Sequence, residues 1–552
     1  MPLGRVTRSM YTYLFNKLPT RRGQIVAKSL LIVESFTMGS KFTRRRFLTA
    51  VSAGATYLAL TNTVGCELLK RTSKVRPLRT PKVSSLRTPK VWPLPSVSSA
   101  PPKGVWAFRS RPDLGPPVVD VTAQAHSPAP GYIFVAPEKG SAAQGGSMIL
   151  DDSGQVVWFR ALLGTYGRVM NFKVQRYRGR PVLTWGETPG EYVIFDRSYH
   201  EIARIRAGNG YQGDHHEFLI SPQDTALITI YNPVRWDLSS VGGLKSGVAW
   251  QGIIQEIDIE TGEVLFEWHS LDHVGLEETY VKPSEDKYPG IDYFHINSIE
   301  VDHDNNLLIS ARETSAVYKI DHKTGEVIWR LGGKYSDFEM GPGTRFAYQH
   351  DARRQRDGSI TIFDNGTTVF NNGIPKAVEE SRAIVLEIEE EEMTASLVRE
   401  YTHPDKQYAH AAGNMQVLPN GNAFIGWGRA LVFSEFSKDG ELLFDARLPP
   451  KNKSYRAFRF PWSGYPSDQP AAVAERASEE EVRVYASWNG ATEVASWEVL
   501  AGPRPGQLES LGSIARGGFE TSMLVQTSES YVAVRAKHRF GQVLGTTEPV
   551  KL

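Results

Sequence analysis

Three histidines, His216, His295 and His350, each head a similar stretch of chain: HEFLISPQDTALITIYN, HINSIEVDHDNNLLISARE and HDARRQRDGSITIFDNG. Each stretch runs from the histidine through a mixed segment and an acidic turn into a β-rich segment. An imidazole at neutral pH can attack as a nucleophile, carry a proton or ligate a metal. The three lie 55 to 134 positions apart, so no single local element can gather them. Equivalent positions in a repeated unit become equivalent positions in space. If the units form a ring, three imidazoles from different units converge on one axis. Two chemistries are then open: group transfer through histidine, or a three-histidine metal site of the kind zinc accepts.

The elements that must position them are also repeated. A strand, a turn with Gly or Asp, and a second apolar strand recur at Ile149, Ile194, Glu256, Lys319 and Phe433, with a weaker copy at Val385 that lacks the turn glycine. These six hairpins sit about one four-stranded blade apart. The histidine stretches read as inner hairpins of three blades, and the segments at Met170 and Gly413 as inner hairpins of two more. The expected fold is all-β: a six-bladed β-propeller over residues 104–466, with seven blades or two sandwiches as alternatives. From 478 to 552, alternating strands around Trp488 and Trp497 suggest a fibronectin-III-like or Ig-like β-sandwich without chemistry of its own.

The net charge of +2 over 552 residues gives no bulk reason to expect nucleic acid as a partner. The first 110 residues are locally basic. Thr43 opens a Thr-Arg-Arg-Arg-Phe-Leu run that matches a twin-arginine export signal, followed by a moderately apolar stretch too short for a membrane span. Cys66, after Val64 and Gly65, is the one cysteine, so intrachain disulfides are impossible. Its setting resembles a lipobox, with Thr63 departing from the usual Leu. Residues 1–66 are therefore expected to be a Tat-type or lipoprotein signal region, with Met38 as well as Met1 fitting a start. Residues 67–103, which repeat LRTPKV, read as an extended linker. The expected location is the outer face of the cell membrane, with Cys66 as lipid attachment.

Long motifs carry a family resemblance: FRSRPDLGPPVVDV, QGDHHEFLI, WHSLDHVGLEE, FHINSIEVD, GPGTRFAYQHDARR, ITIFDNG and SYRAFRFPW among them. In these, residues 104–466 resemble the arylsulfotransferases, in the branch common in actinobacteria and fungi. The resemblance implies sulfuryl transfer from a phenolic sulfate ester to a phenol, without PAPS, through a sulfohistidine. It implies His350 as nucleophile, His295 and Arg312 as the residues that bind and polarise the sulfate, and His216, rather than His215, as a further histidine of the site. Asn297, two residues after His295, would point the same way on a strand and serve as a supporting donor. Well-known members carry a disulfide near the site and a sandwich before the propeller; this chain departs on both counts.

The chemistry agrees. Sulfuryl transfer, like phosphoryl transfer, needs an in-line nucleophile and fixed donors for non-bridging oxygens, and Arg supplies paired donors. An ion pair with Glu313 or Asp351 is the alternative use of Arg312. His269 and His273 have i,i+4 spacing that suits a short helix in a surface or capping role. His200, His303, His322 and His403 are expected to be solvated in turns. Three functions remain in view: an aryl sulfotransferase acting on a small-molecule aryl sulfate and phenol with no cofactor, a structural or catalytic metal being left open; a metal-dependent enzyme using His216, His295 and His350; and a non-catalytic ligand-binding propeller at the cell surface.

Overall fold

A computed structural model describes residues 103–124, 126–140, 142–162, 168–283, 290–366 and 380–552. Cys66, the export signal and nearly all of the linker lie outside the described residues. Among these the fold is all-β, and no described helix is long and apolar enough to cross a membrane.

Among the described residues six sheets, antiparallel apart from two short parallel edge strands, follow one another along the chain. The first is built from Val169–Tyr177, Arg180–Glu187, Glu191–Phe195 and Glu201–Arg206. The second starts at Gly213–Ile220, the third at Ile296–Val301, the fourth at His350–Arg354 and the fifth at Asn414–Val417. The sixth is a composite: Ala457–Phe460 pairs with Tyr132–Val135, which continues into Gly146–Leu150 and Val156–Ala161. The fifth likewise takes its outermost strand, Asp120–Ala123, from the N-terminal side. The leading strands of successive sheets are neighbours, and Ala457–Phe460 touches those of both the fifth and the first, so the series closes into a ring. The Ala457–Phe460 strand lies inside SYRAFRFPW, a stretch not assigned to any hairpin from sequence.

The ring is held by six apolar layers, one between each pair of adjacent sheets. Between the second and third, for example, Leu227, Ile254 and Trp268 meet Ile296, Ile309 and Tyr318. Between the sixth and first, Phe134 and Trp158 meet Phe172 and Trp185. Both faces of each sheet are thus covered, which is why the strands read as near-continuous apolar runs. The outer turns obey a local rule. Asp258 Oδ1 accepts the amides of Glu260 and Thr261, and Asp321 Oδ1 those of Lys323 and Thr324. Gly262 and Gly325 then take the left-handed position, at φ of 73° and 80°. In the copy that lacks glycine, Met393 holds φ +52° instead.

The inner strands are bulged. Pairing shifts between Met170 and Lys173, between His350 and Arg353, between Ile296 and Ser298, and in the second sheet at Ile228/Thr229, where Asp214 follows Phe218 in the ladder. Bulges re-aim side chains out of strict alternation. The residues they release, Asn171, Glu217, Asn297 and Asp351, are all buried.

Beyond the ring, Ala471–Arg476, Glu481–Ser487 and Glu520–Gln526 form one sheet; Val494–Arg504, Gln507–Ala515 and Tyr531–His538 anchor another. They share a core of Val484, Trp497, Met523 and Val534.

Candidate active site

The three histidines come together. His216 and His295 have ring centroids 5.0 Å apart. Tyr455 lies 5.4 Å from His216 and 6.1 Å from His350, and Tyr231 packs against both His216 and His295. Tyr455 precedes the strand that closes the ring, so closure itself completes the cluster.

Each imidazole has its Nδ1 engaged. His216 Nδ1 bonds Asp214 Oδ2 at 2.5 Å, and His295 Nδ1 bonds Asp292 Oδ2 at 2.5 Å. Asp292 sits on a two-residue strand, Ile291–Asp292, that pairs in parallel with the second sheet. His295, entering the third sheet, holds φ +58°. Its Nε2 is buried and makes no hydrogen bond. Burial, with help from Arg312 and His216, holds His295 well below the ordinary imidazole pKa, so it is neutral. Burial would raise Asp214, but His216 outweighs it and holds that carboxyl below its usual range.

His350 is 1% exposed. Asn365 Nδ2 donates to the carbonyls of Ala409 and Ala412, which turns its Oδ1 toward His350 Nδ1 at 2.7 Å. The proton of His350 is thereby on Nδ1, and Nε2 carries the lone pair. The Ala412 amide donates to that Nε2 at 3.2 Å. Burial, reinforced by Arg312, holds His350 well below the ordinary imidazole value.

Arg312 follows the strand Leu307–Ala311 and its guanidinium lies 4.4 Å above the Tyr348 ring. Its Nε donates to Glu313 Oε1 at 2.9 Å, and Asp292 Oδ2 lies 3.8 Å from Nη2. The partner is thus Glu313, with Asp292 near; Asp351 pairs with Arg353 and Arg456 instead. Burial pushes both Asp292 and Glu313 above the usual carboxylate range, against the pull of Arg312.

Asn297 does not point alongside His295, because it is the bulge residue. Its Nδ2 donates to Gln349 O at 2.7 Å and its Oδ1 accepts from Asp351 N at 3.4 Å, so it grips the backbone on both sides of His350. Beneath the cluster, Glu217 binds Lys173, Arg353 and Arg456, and Arg353 also binds Glu300. Arg456 Nη2 donates to Asn297 O at 2.7 Å. His403 and His322 are not solvated: His403, 3% exposed, bonds Asp445, and His322 pairs with Glu256.

Sequence reasoning missed Asp214, Asp292, Asn365, Tyr231 and Tyr455. Asp214, Asn365 and Tyr455 lie inside the motifs quoted above, but nothing in a residue type says that it faces a histidine. Among the described residues His216, His295 and His350 do not bring their ring nitrogens together as a metal-ligand group.

A family model described as arylsulfotransferase (ASST) matches residues 173–448, half of the chain. The chain belongs to the arylsulfotransferase family. The matched span contains His216, His295, Arg312 and His350, and stops short of Tyr455. Family membership indicates a sulfotransferase working on small aryl substrates. Comparison with curated proteins gave no match. Among solved structures, a protein of unknown function from Bacteroides caccae is 13% identical, covering 60% of this chain and 98% of its own, with a TM-score of 0.36. A virginiamycin B lyase from Staphylococcus aureus is 9% identical, covering 66% and 95%, with a TM-score of 0.32. Neither likeness bears on the arylsulfotransferase assignment.

Proposed function

We propose that this chain is an aryl sulfotransferase that moves a sulfuryl group from a phenolic sulfate ester to a phenol through a sulfohistidine at His350. The observation that carries the reading is the convergence of His216, His295, His350 and Arg312 within one buried cluster of a family member. His350 Nε2 attacks the ester sulfur as the bond from sulfur to the aryl oxygen breaks. The Ala412 amide leaves that lone pair as the substrate seats. The phenolate departs and takes a proton from solvent, and the acceptor phenol then attacks the sulfur as the N–S bond breaks, returning the sulfuryl group to oxygen while its own proton goes to the protein and from there to solvent. His295 Nε2, bare and backed by Asp292, is the group suited to accept the proton of the incoming phenol. Arg312 and His216 hold the non-bridging oxygens, where charge is spread in a loose transition state.

The fold reading that goes with it is a six-bladed β-propeller followed by a fibronectin-III-like sandwich. Export through the Tat pathway and lipid attachment at Cys66 complete the proposal, placing the enzyme on the outer face of the membrane.

The test is transfer from 4-nitrophenyl sulfate to a phenol by the purified chain, with mass spectrometry of the peptide carrying His350 after donor alone. Turnover and one added sulfuryl group on His350 are expected. No turnover with any aryl sulfate, or turnover that survives His350→Ala, overturns it.

A further inference from the structure

The lone pair of His350 Nε2 has a defined direction, because the Ala412 amide sits on it at 3.2 Å. A group that reacts with that lone pair seats where the Ala412 peptide now lies. In-line departure then carries the leaving oxygen further the same way. The aryl ring on that oxygen is directed toward the loop around Ala412 and what stands beside it.

What stands beside it is basic. Ala411 O accepts from Arg429 N at 3.3 Å, and Gly428 packs so closely that a Cβ there would meet Ala412 C at 2.6 Å. On the other side Gly413 N donates to Tyr455 O at 3.0 Å, and Lys453 lies two residues before Tyr455. The loops 409–413, 428–430 and 452–455 are thus knitted together at the edge of the site. They carry His410, Arg429 and Lys453, of which the first two are exposed and the third half-buried. The three are near enough to act on one another: burial lowers the pKa of His410, and Arg429 and Lys453 lower it further. Arg429 and Lys453 form no ion pair or side-chain hydrogen bond among the described residues. Glu138, whose amide donates to Lys453 O at 2.7 Å, has its carboxylate 3.8 Å from Arg168 instead. Elsewhere in the ring Arg353, Arg382 and Arg456 each meet carboxylates. Two uncompensated cations at the mouth of a site set up a field that draws negative charge.

We propose that Arg429 and Lys453 form a subsite for a second anionic group (a carboxylate, a sulfonate or a further sulfate) on the aryl ring of the substrate. Aryl acids, rather than neutral phenols, are then the favoured class. Donor and acceptor rings use the subsite in turn, because one leaves and the other attacks on the side of sulfur opposite Nε2. This assignment rests on the function proposed above, with His350 as nucleophile.

The test compares 3-hydroxybenzoate with its neutral amide as acceptors, with 4-nitrophenyl sulfate as donor. The two differ by one charge and little in shape. For the full chain, kcat/KM about 10-fold higher for the acid is expected at low ionic strength, shrinking toward parity as salt rises. Arg429→Gln and Lys453→Gln should each reduce that ratio, and the double substitution should abolish it. Lys323→Gln, on an outer turn, should keep the ratio of the parent. Equal kcat/KM for acid and amide in the parent, or a preference that survives the double substitution, overturns the proposal. A second measurement needs no turnover. Calorimetry with 4-sulfobenzoate, whose C–S bond cannot transfer, should show binding about 10-fold tighter than benzenesulfonate, and the double substitution should remove the difference. That tighter binding without turnover of any aryl sulfate would sink the sulfotransferase reading and leave the anion subsite standing; turnover without discrimination in either measurement would do the reverse.

Discussion

His216 and His295 meet edge to face, with ring planes at 74°, and each turns Nδ1 back onto an aspartate of its own. Two Asp–His pairs thus face each other from the second and third sheets. The arrangement orients both Nε2 atoms before substrate arrives, so no reorganisation is needed at the moment of transfer.

Asp214→Asn keeps the shape but can donate rather than accept, which favours the wrong tautomer of His216. A drop in kcat of about 10²–10⁴-fold is expected with little change in KM, by analogy with asparagine replacing the carboxylate of an Asp–His pair elsewhere. Steady-state kinetics on 4-nitrophenyl sulfate check it, and an unchanged kcat would contradict an orienting role.

Asn365 acts on His350 in the same sense, without charge. Asn365→Asp would place a carboxylate against Nδ1 and favour the imidazolium. The acid limb of kcat/KM should therefore move to higher pH, and activity at pH 6 should fall more than at pH 8. A uniform loss at both values would mean only a packing role.

The polar floor is a stability element. Glu217 is fully buried and meets three cations, Lys173, Arg353 and Arg456. Glu217→Gln leaves part of that positive charge uncompensated and should cost about 3–5 kcal/mol. Urea unfolding measures it, and a loss below ~1 kcal/mol would show that the neighbouring Asp351 and Glu300 suffice.

His350 also links stability to pH. Its folded pKa is lowered well below 6.5 by burial. Below about pH 6.5 the unfolded chain takes up a proton there that the folded chain refuses, so its contribution disfavours folding as pH falls. The limit is about 1.4 kcal/mol per pH unit until the folded pKa is reached. His350→Gln should flatten the acid-side decline of unfolding free energy relative to the parent. Parallel declines would show that the decline comes from other groups.

Much of the architecture was legible because it is periodic. The six outer hairpins named from Ile149 to Phe433 all form, and the inner hairpins at Met170, His216, His295, His350 and Gly413 lead their sheets. The sixth leading strand was not legible. Its strands come from Tyr132 and Ala457, more than three hundred residues apart, and no local pattern announces that pairing. Asn297 was misdirected for a related reason: alternation is a rule for regular strands, and a bulge breaks it.

Repetition was enough to single out His216, His295 and His350, because repeated units occupy equivalent places; Arg312 came only with the family motifs. The tertiary structure alone decided what each one is bonded to. The carboxylates, the Asn365 amide and the Ala412 peptide set which nitrogen bears a proton. Glu313 and Asp292 determine what Arg312 holds. Those choices depend on distances of a few ångströms between chain segments far apart in sequence, and such distances exist only once the ring has closed.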